Sequence, residues 1–272
     1  MADYRTIPAA ELGKGSNIKV ELCETEVDLY WKMAIEVLEL IQENNAKGEK
    51  TVMIVPYGPL GPYARLVELI NKHRVSLKNC WFINMDEYLT DEGEWIEESS
   101  KLSFHGFMNR TVYQKLDPAL VMPENQRVFP DPHDLTRIPK LIEELGGVDI
   151  CFGGIGINGH VAFNEAQDEL TADEFANLPT RVLTISRETR VANAIGDLNG
   201  AIDAMPHQCV TIGMKEILSA KKIRLGVFRD WHRAVVRQAA YGEVTAHFPV
   251  SLLQRHKDAM ILVNANAAKE AF

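Results

Sequence analysis

Two kinds of apolar patterning alternate along the chain. The segments "NIKVELC", "TVMIVP", "CWFINM", "VDICFGG", "RVLTIS", "QCVTIG", "IRLGVF" and "AMILVN" are short, nearly unbroken apolar runs. Between them stand longer stretches, "EVDLYWKMAIEVLELIQENNAKG", "YARLVELINKH", Phe104 to Tyr113 and "LTRIPKLIEELGG", whose apolar residues recur every three or four positions. The first kind predicts strands buried on both faces. The second predicts amphipathic helices, the earliest of which stops at Gly48. Their alternation predicts an α/β chain: a three-layer αβα open sheet, mostly parallel and Rossmann-like. No internal repeat or linker-like tract interrupts the pattern, so a single domain over residues 1–272 is expected.

In an open parallel sheet a ligand is expected outside the carboxyl ends of the strands. That singles out the loops after "TVMIVP", "CWFINM" and "VDICFGG". The first holds Gly58. The second carries adjacent carboxylates, Asp86 and Glu87, which read either as a solvated turn or, when partly buried, as a general base. The third, "GGIGINGHVAFNEA", sets His160 and Glu165 behind glycines, Gly154 and Gly159 among them, that let the backbone approach a ligand closely. A histidine at such a place is as readily a hydrogen-bonded structural residue as a catalyst. The run is not a dinucleotide fingerprint: no good helix start follows it, and the acidic residue expected about twenty positions on is absent. A nicotinamide site is rejected on that ground.

Charge and composition narrow the partners. A formal net charge of −9 argues against nucleic acid and anionic membranes. No apolar run approaches the roughly 18 residues that span a bilayer, and the opening residues lack the apolar core of a signal peptide. A soluble, cytoplasmic protein with a small-molecule ligand is expected, and a homo-oligomer is left open. Cys23, Cys80, Cys151 and Cys209 lie far apart in apolar contexts and read as buried thiols. Neither a metal nor an organic cofactor is expected.

"NMDEYL" and "GGIGINGHVAFNEA" together resemble the glucosamine-6-phosphate deaminase/isomerase family. The resemblance continues through "SFHGFMNR", "TRVLTISRETRVAN" and "VTIGMKEILSAKKI", and covers most of the chain from Thr51 to Asn264. The related 6-phosphogluconolactonases share the fold and a Gly-His motif but differ after the histidine, where this chain has Phe163-Asn164-Glu165. The resemblance implies the deaminase/isomerase fold and assigns roles. Asp86 would move a proton between C1 and C2 of the open-chain sugar. His160, partnered by Glu165, would open the pyranose ring. The substrate would be held by Gly58, Glu87, Gly154, Gly159, Arg190 and Arg233.

The chain also departs from the family pattern. Asn158 stands where an aspartate is usual two residues before the histidine, and its amide is expected to favour a different tautomer or a lower histidine pKa. The loop Tyr57-Gly58-Pro59-Leu60-Gly61-Pro62 replaces a Gly/Ser/Thr-rich phosphate turn, and its prolines remove backbone donors. Ile195 replaces a family arginine, Arg233 a phosphate-binding lysine, and Leu183 an effector-site lysine. The segment "AQDELTADEFANLP" is longer than in relatives and is expected to form a lid. The expected activity is therefore aldose–ketose isomerisation or deamination of an amino-sugar phosphate or analogue, the terminal group being in question. Alternatives are a catalytically weakened sugar-binding or regulatory homologue, and a lactonase-type hydrolase on the same fold.

Overall fold

The computed structural model describes residues 3–272. The elements run β1 (Lys19–Cys23), α1 (Glu26–Lys47), β2 (Thr51–Val55), α2 (Gly61–His73), β3 (Cys80–Asn84), β4 (Asp86–Leu89), α3 (Phe104–Met108), β5 (Arg127–Val128), α4 (Arg137–Leu145) and β6 (Ile150–Gly153). They continue with α5 (Ala172–Ala176), β7 (Arg181–Thr184), α6 (Arg187–Asp197), β8 (Gln208–Thr211), α7 (Met214–Leu218), β9 (Lys222–Val227), α8 (His232–Tyr241) and β10 (Ala259–Asn264). Local chemistry explains the long first helix. Thr25 and Asp28 form a reciprocal capping box, and Gly48 closes the helix in the left-handed conformation.

Seven strands form one wholly parallel sheet in the order β1-β10-β9-β6-β2-β3-β5, covered on its two faces by separate apolar clusters. All five residues of β2 and all six of β10 are buried, as their unbroken apolar runs require. The three-layer expectation holds for this sheet.

Two strands do not join it. "RVLTIS" and "QCVTIG" supply β7 and β8, which pair antiparallel with β4 in a separate three-stranded sheet. The alternation of half-buried and exposed positions along β7 is the mark of a one-faced strand rather than a central one. Asp86 and Glu87, read from sequence as part of a loop, open β4 instead. The chain leaves β3 at Asn84 and enters β4 two residues later, so Asp86 sits where the two sheets meet. Met85 fixes that junction: its N–H donates to Val55 O and its carbonyl accepts from Ile212 N.

The same topology creates a crevice. From β2 the chain passes outward to the neighbouring β3, and from β9 it passes the opposite way to β10, with β6 between them. Loops that diverge on either side of a central strand leave space above its carboxyl end.

Candidate active site

A cavity of about 370 Å3 fills that crevice. Its base comes from the loops after β2 (Tyr57 to Leu60), β6 (Gly154 to Ile157) and β9 (Phe228, Arg229, Trp231). Asp86 and His160 face it at one end, and Tyr57, Tyr88, Phe104 and Phe163 give it an aromatic wall. Tyr57 stacks on Phe104 with ring centroids 4.3 Å apart, and Tyr88 leans on Phe104 and Phe163 at 5.0 and 5.4 Å. The roof is α6, which presents Ala192, Asn193 and Asp197 to the space.

Asp86 is 6 % exposed, and burial, reinforced by the charge of Glu87, pushes its carboxyl well above the usual carboxylate range. A carboxylate deprived of water in this way is a stronger base than a solvated one. Glu87 has a different setting. It is fully buried and accepts from Tyr88 N, Ser103 Oγ, Phe104 N and His105 N, so it anchors the start of α3 and does not line the cavity.

His160 is reached through a compact turn. Gly156 N donates to His160 O, Gly159 adopts φ +80°, and Ala162 takes a positive φ of 55°, unusual for a residue with a side chain. The imidazole lies directly over Gly156: a Cβ there would stand 2.0 to 2.3 Å from three ring atoms. Gly156 thus provides room for the ring. Gly159 forms the turn and packs on Phe248, away from the cavity, whereas Gly58 and Gly154 line it.

Asn158 Oδ1 lies 2.7 Å from His160 Nδ1. The amide presents its oxygen to the ring, while its Nδ2 points to Thr189 Oγ1 at 3.5 Å. Nδ1 therefore carries the proton and Nε2 is left as the basic nitrogen, the tautomer that an aspartate would also select. The expected change of tautomer does not occur. The His160 pKa is lowered to about 4, but by burial and not by the amide, so the ring is neutral at pH 7.

Glu165 is not bonded to His160 among the described residues. Its Oε2 accepts from Ser186 N at 2.7 Å, and its buried Oε1 has no partner. Ser186 caps α6, so Glu165 fixes the roof helix. Arg190 and Arg233 do not line the cavity. Arg190 donates to Ile202 O and Met205 O, one face away on α6. Arg233 donates to Asn266 O and Oδ1 at 3.2 and 2.8 Å, with Asp230 beside it. The segment expected to be a lid packs elsewhere: α5 buries Phe175 against α7 and residues 249–255, Asp173 pairs with Arg255, and none of residues 166–179 borders the cavity.

Sequence reasoning missed Tyr88, Thr189, Asn193, Asp197 and Arg229. A signal existed for three of them. Thr189, Asn193 and Asp197 recur every fourth residue and so share one stripe of α6. Thr189 Oγ1 is 3.3 Å from His160 Nδ1, and Asn193 Nδ2 donates to Tyr88 Oη at 3.0 Å. Arg229 carries no such mark, being one charge in the turn before α8.

No protein-family model matches the chain. Curated relatives do. Glucosamine-6-phosphate deaminase 1 of Bacillus subtilis (strain 168) is 30 % identical over 254 residues, covering 92 % of this chain and 98 % of the relative. Glucosamine-6-phosphate deaminase of Porphyromonas gingivalis (strain ATCC BAA-308 / W83) is 29 % identical over 258 residues, covering 92 % of each. A solved monomeric glucosamine-6-phosphate deaminase superposes with a TM-score of 0.79 at 28 % identity, over 92 % of this chain and 99 % of the other. The 6-phosphogluconolactonase of Trypanosoma cruzi, at 16 % identity and a TM-score of 0.65 over 92 % and 96 %, shares the fold alone. No helix among the described residues is long and apolar enough to cross a membrane. The chain belongs to the glucosamine-6-phosphate deaminase family.

Proposed function

We propose that the protein catalyses aldose–ketose isomerisation with deamination at C1 and C2 of an amino sugar. This is the reaction type that turns glucosamine 6-phosphate into fructose 6-phosphate and ammonia. One observation carries the reading: a water-deprived carboxylate, Asp86, and a neutral imidazole, His160, face the same cavity at the carboxyl edge of the sheet. Family membership supports it independently.

The residue types suit the steps. His160 Nε2 takes the proton of the anomeric hydroxyl and returns one to the ring oxygen, giving the open-chain aldehyde. Asp86 removes the C2 proton to form an enolamine and delivers it to C1. The imine left at C2 is hydrolysed by water to the ketose and ammonia. Asn158 and Thr189 hold the imidazole by Nδ1 and so keep Nε2 available throughout. Glu87 and Glu165 act as positioning residues, holding α3 and α6 respectively.

The test is incubation of the purified protein with aldoses and amino sugars, phosphorylated and free, scored for ketose and for ammonia. Ketose and ammonia in equal amounts from an amino sugar are expected. Hydrolysis of a sugar lactone without ammonia, or ligand-induced thermal stabilisation without any turnover, would overturn the reading.

A further inference from the structure

The end of the cavity remote from His160 offers a dianion few backbone donors. Helix N-termini at the carboxyl edge of a sheet are natural anion sites because their first N–H groups are unpaired. Two such helices, α2 and α8, start beside this cavity, and each has lost part of its donor set. At α2, Pro59 and Pro62 have no N–H and Tyr63 N is bonded to Leu60 O. The Tyr30 ring lies against Gly61, where a Cβ would meet it at 2.1 to 2.5 Å.

At α8, His232 N and Arg233 N are bonded to Arg229 O and Asp230 O, and the turn just before the helix already holds an acceptor. His232 Nδ1 receives the N–H groups of Phe228 and Arg229 at 3.1 and 2.9 Å, and its Nε2 donates to Ile155 O at 3.0 Å. The imidazole is buried and neutral, its pKa lowered by that burial to about 4. A side-chain nitrogen thus fills the position an anion's oxygen would take in that turn.

Two charged side chains remain at this end, and they oppose each other. Asp197 lines the cavity from α6, and Arg229 lines it from the turn before α8. The guanidinium packs over Gly196, where a Cβ would stand 3.2 Å from Nη1. Tyr57, which lines the cavity beside them, is held up to about 12 by its own burial and then by the charge of Asp197. One acceptor and one donor facing each other suit a hydroxyl, which both donates and accepts. They do not suit a phosphate, which a carboxylate repels.

We infer that the far end of the cavity is a subsite for an uncharged, hydroxyl-bearing terminus, with Asp197 accepting from it and Arg229 donating to it. The substrate class is then the unphosphorylated amino sugar. This rests on the reaction proposed above and names the sugar's other end.

The experiment pairs 2-amino-2-deoxyhexoses of gluco and galacto configuration with their 6-phosphates in steady-state kinetics. Calorimetric titration of the corresponding 2-amino-2-deoxyhexitols and their 6-phosphates, which cannot react, runs alongside. A kcat/KM at least tenfold higher for a free sugar supports the subsite, as does tighter binding of the free hexitol. Asp197→Asn and Asp197→Ser, each checked for an unchanged melting temperature, should narrow that preference at least fivefold. Preference for the 6-phosphate in either assay overturns the inference and leaves the proposed reaction standing. Binding of the free hexitol with no turnover of any sugar sinks the reaction and leaves the subsite. Absence of both binding and turnover sinks both.

Discussion

The two ends of the cavity are built differently. At the reaction end, Asp86 is buried where two sheets meet, and His160 is fixed by Gly156 beneath it, Asn158 at Nδ1 and Thr189 above. At the far end, Arg229 is exposed in a turn, Asp197 is half-buried at the last position of α6, and Leu60 is exposed. Groups that move protons must be dry, because burial sets their basicity, and fixed, because a displacement of about 1 Å can cost about 10²-fold in rate. Groups that choose a substrate need only face the space. They can sit on loops whose replacement leaves the core intact.

The largest effect should follow from removing the base. Asp86→Asn is expected to lower kcat by about 10³. It should also stabilise the fold in a pH-dependent way. Because Asp86 titrates above the ordinary carboxylate range, the folded protein keeps a proton that the unfolded chain loses, and stability falls as pH rises through that window. Asparagine has no such proton, so the variant's advantage in denaturant melts should grow from about pH 4 upward. An equal midpoint at every pH would show that Asp86 is not a desolvated carboxyl.

Next is the support of the imidazole. Gly156→Ala places a methyl 2.0 to 2.3 Å from ring atoms of His160, so the ring must leave its seat on Asn158. A fall in kcat of about 10² is expected, with ligand affinity at the far end changed less than threefold. Full activity in the alanine variant would reduce Gly156 to an ordinary turn residue.

A smaller effect sharpens the electrostatics. Asn158→Asp puts a charge 2.7 Å from Nδ1 without changing the tautomer, so the His160 pKa should rise from about 4 toward its ordinary 6.5. Wild-type His160 refuses a proton that the unfolded chain takes up below pH 6.5. It therefore costs stability as pH falls from 6.5 toward 4, and the variant should lose less over that window. An NMR titration of the ring and the acid limb of kcat/KM report the shift, with about a tenfold change in rate near pH 6. An unmoved titration would mean that burial alone sets the pKa.

These cases also mark what was legible in the letters. The parallel sheet was, because strands buried on both faces need unbroken apolar runs, as in β2 and β10. The position of His160 and Asp86 at strand ends followed from the same pattern. The second sheet was not, because β8 has the same short apolar run as a central strand and differs only in its partners. Nor was the pairing of Glu165 with Ser186, since a spacing of five residues from His160 says nothing of which way each side chain turns. Asp197 was marked only by helical period, a weak sign beside the arginine of the same helix.

The smallest expected effect tests the far end from outside. Arg233 occupies a position one residue into α8, next to His232 in the wall, and by sequence alone it is the obvious anion contact. Its guanidinium instead joins the turn at Asn266, bonding a carbonyl and an amide oxygen. A helix turns about 100° per residue, so neighbours on α8 face different surroundings, and His232 takes the cavity side. Arg233→Ala should cost about 1 kcal/mol of stability through the lost hydrogen bonds, read in denaturant melts. Its kcat/KM should stay within twofold of wild type for both the free and the phosphorylated amino sugar. A drop confined to the phosphorylated substrate would show that Arg233 swings into the cavity when an anion is present. The contrast between a fixed reaction end and a neutral far end would then fail at this residue.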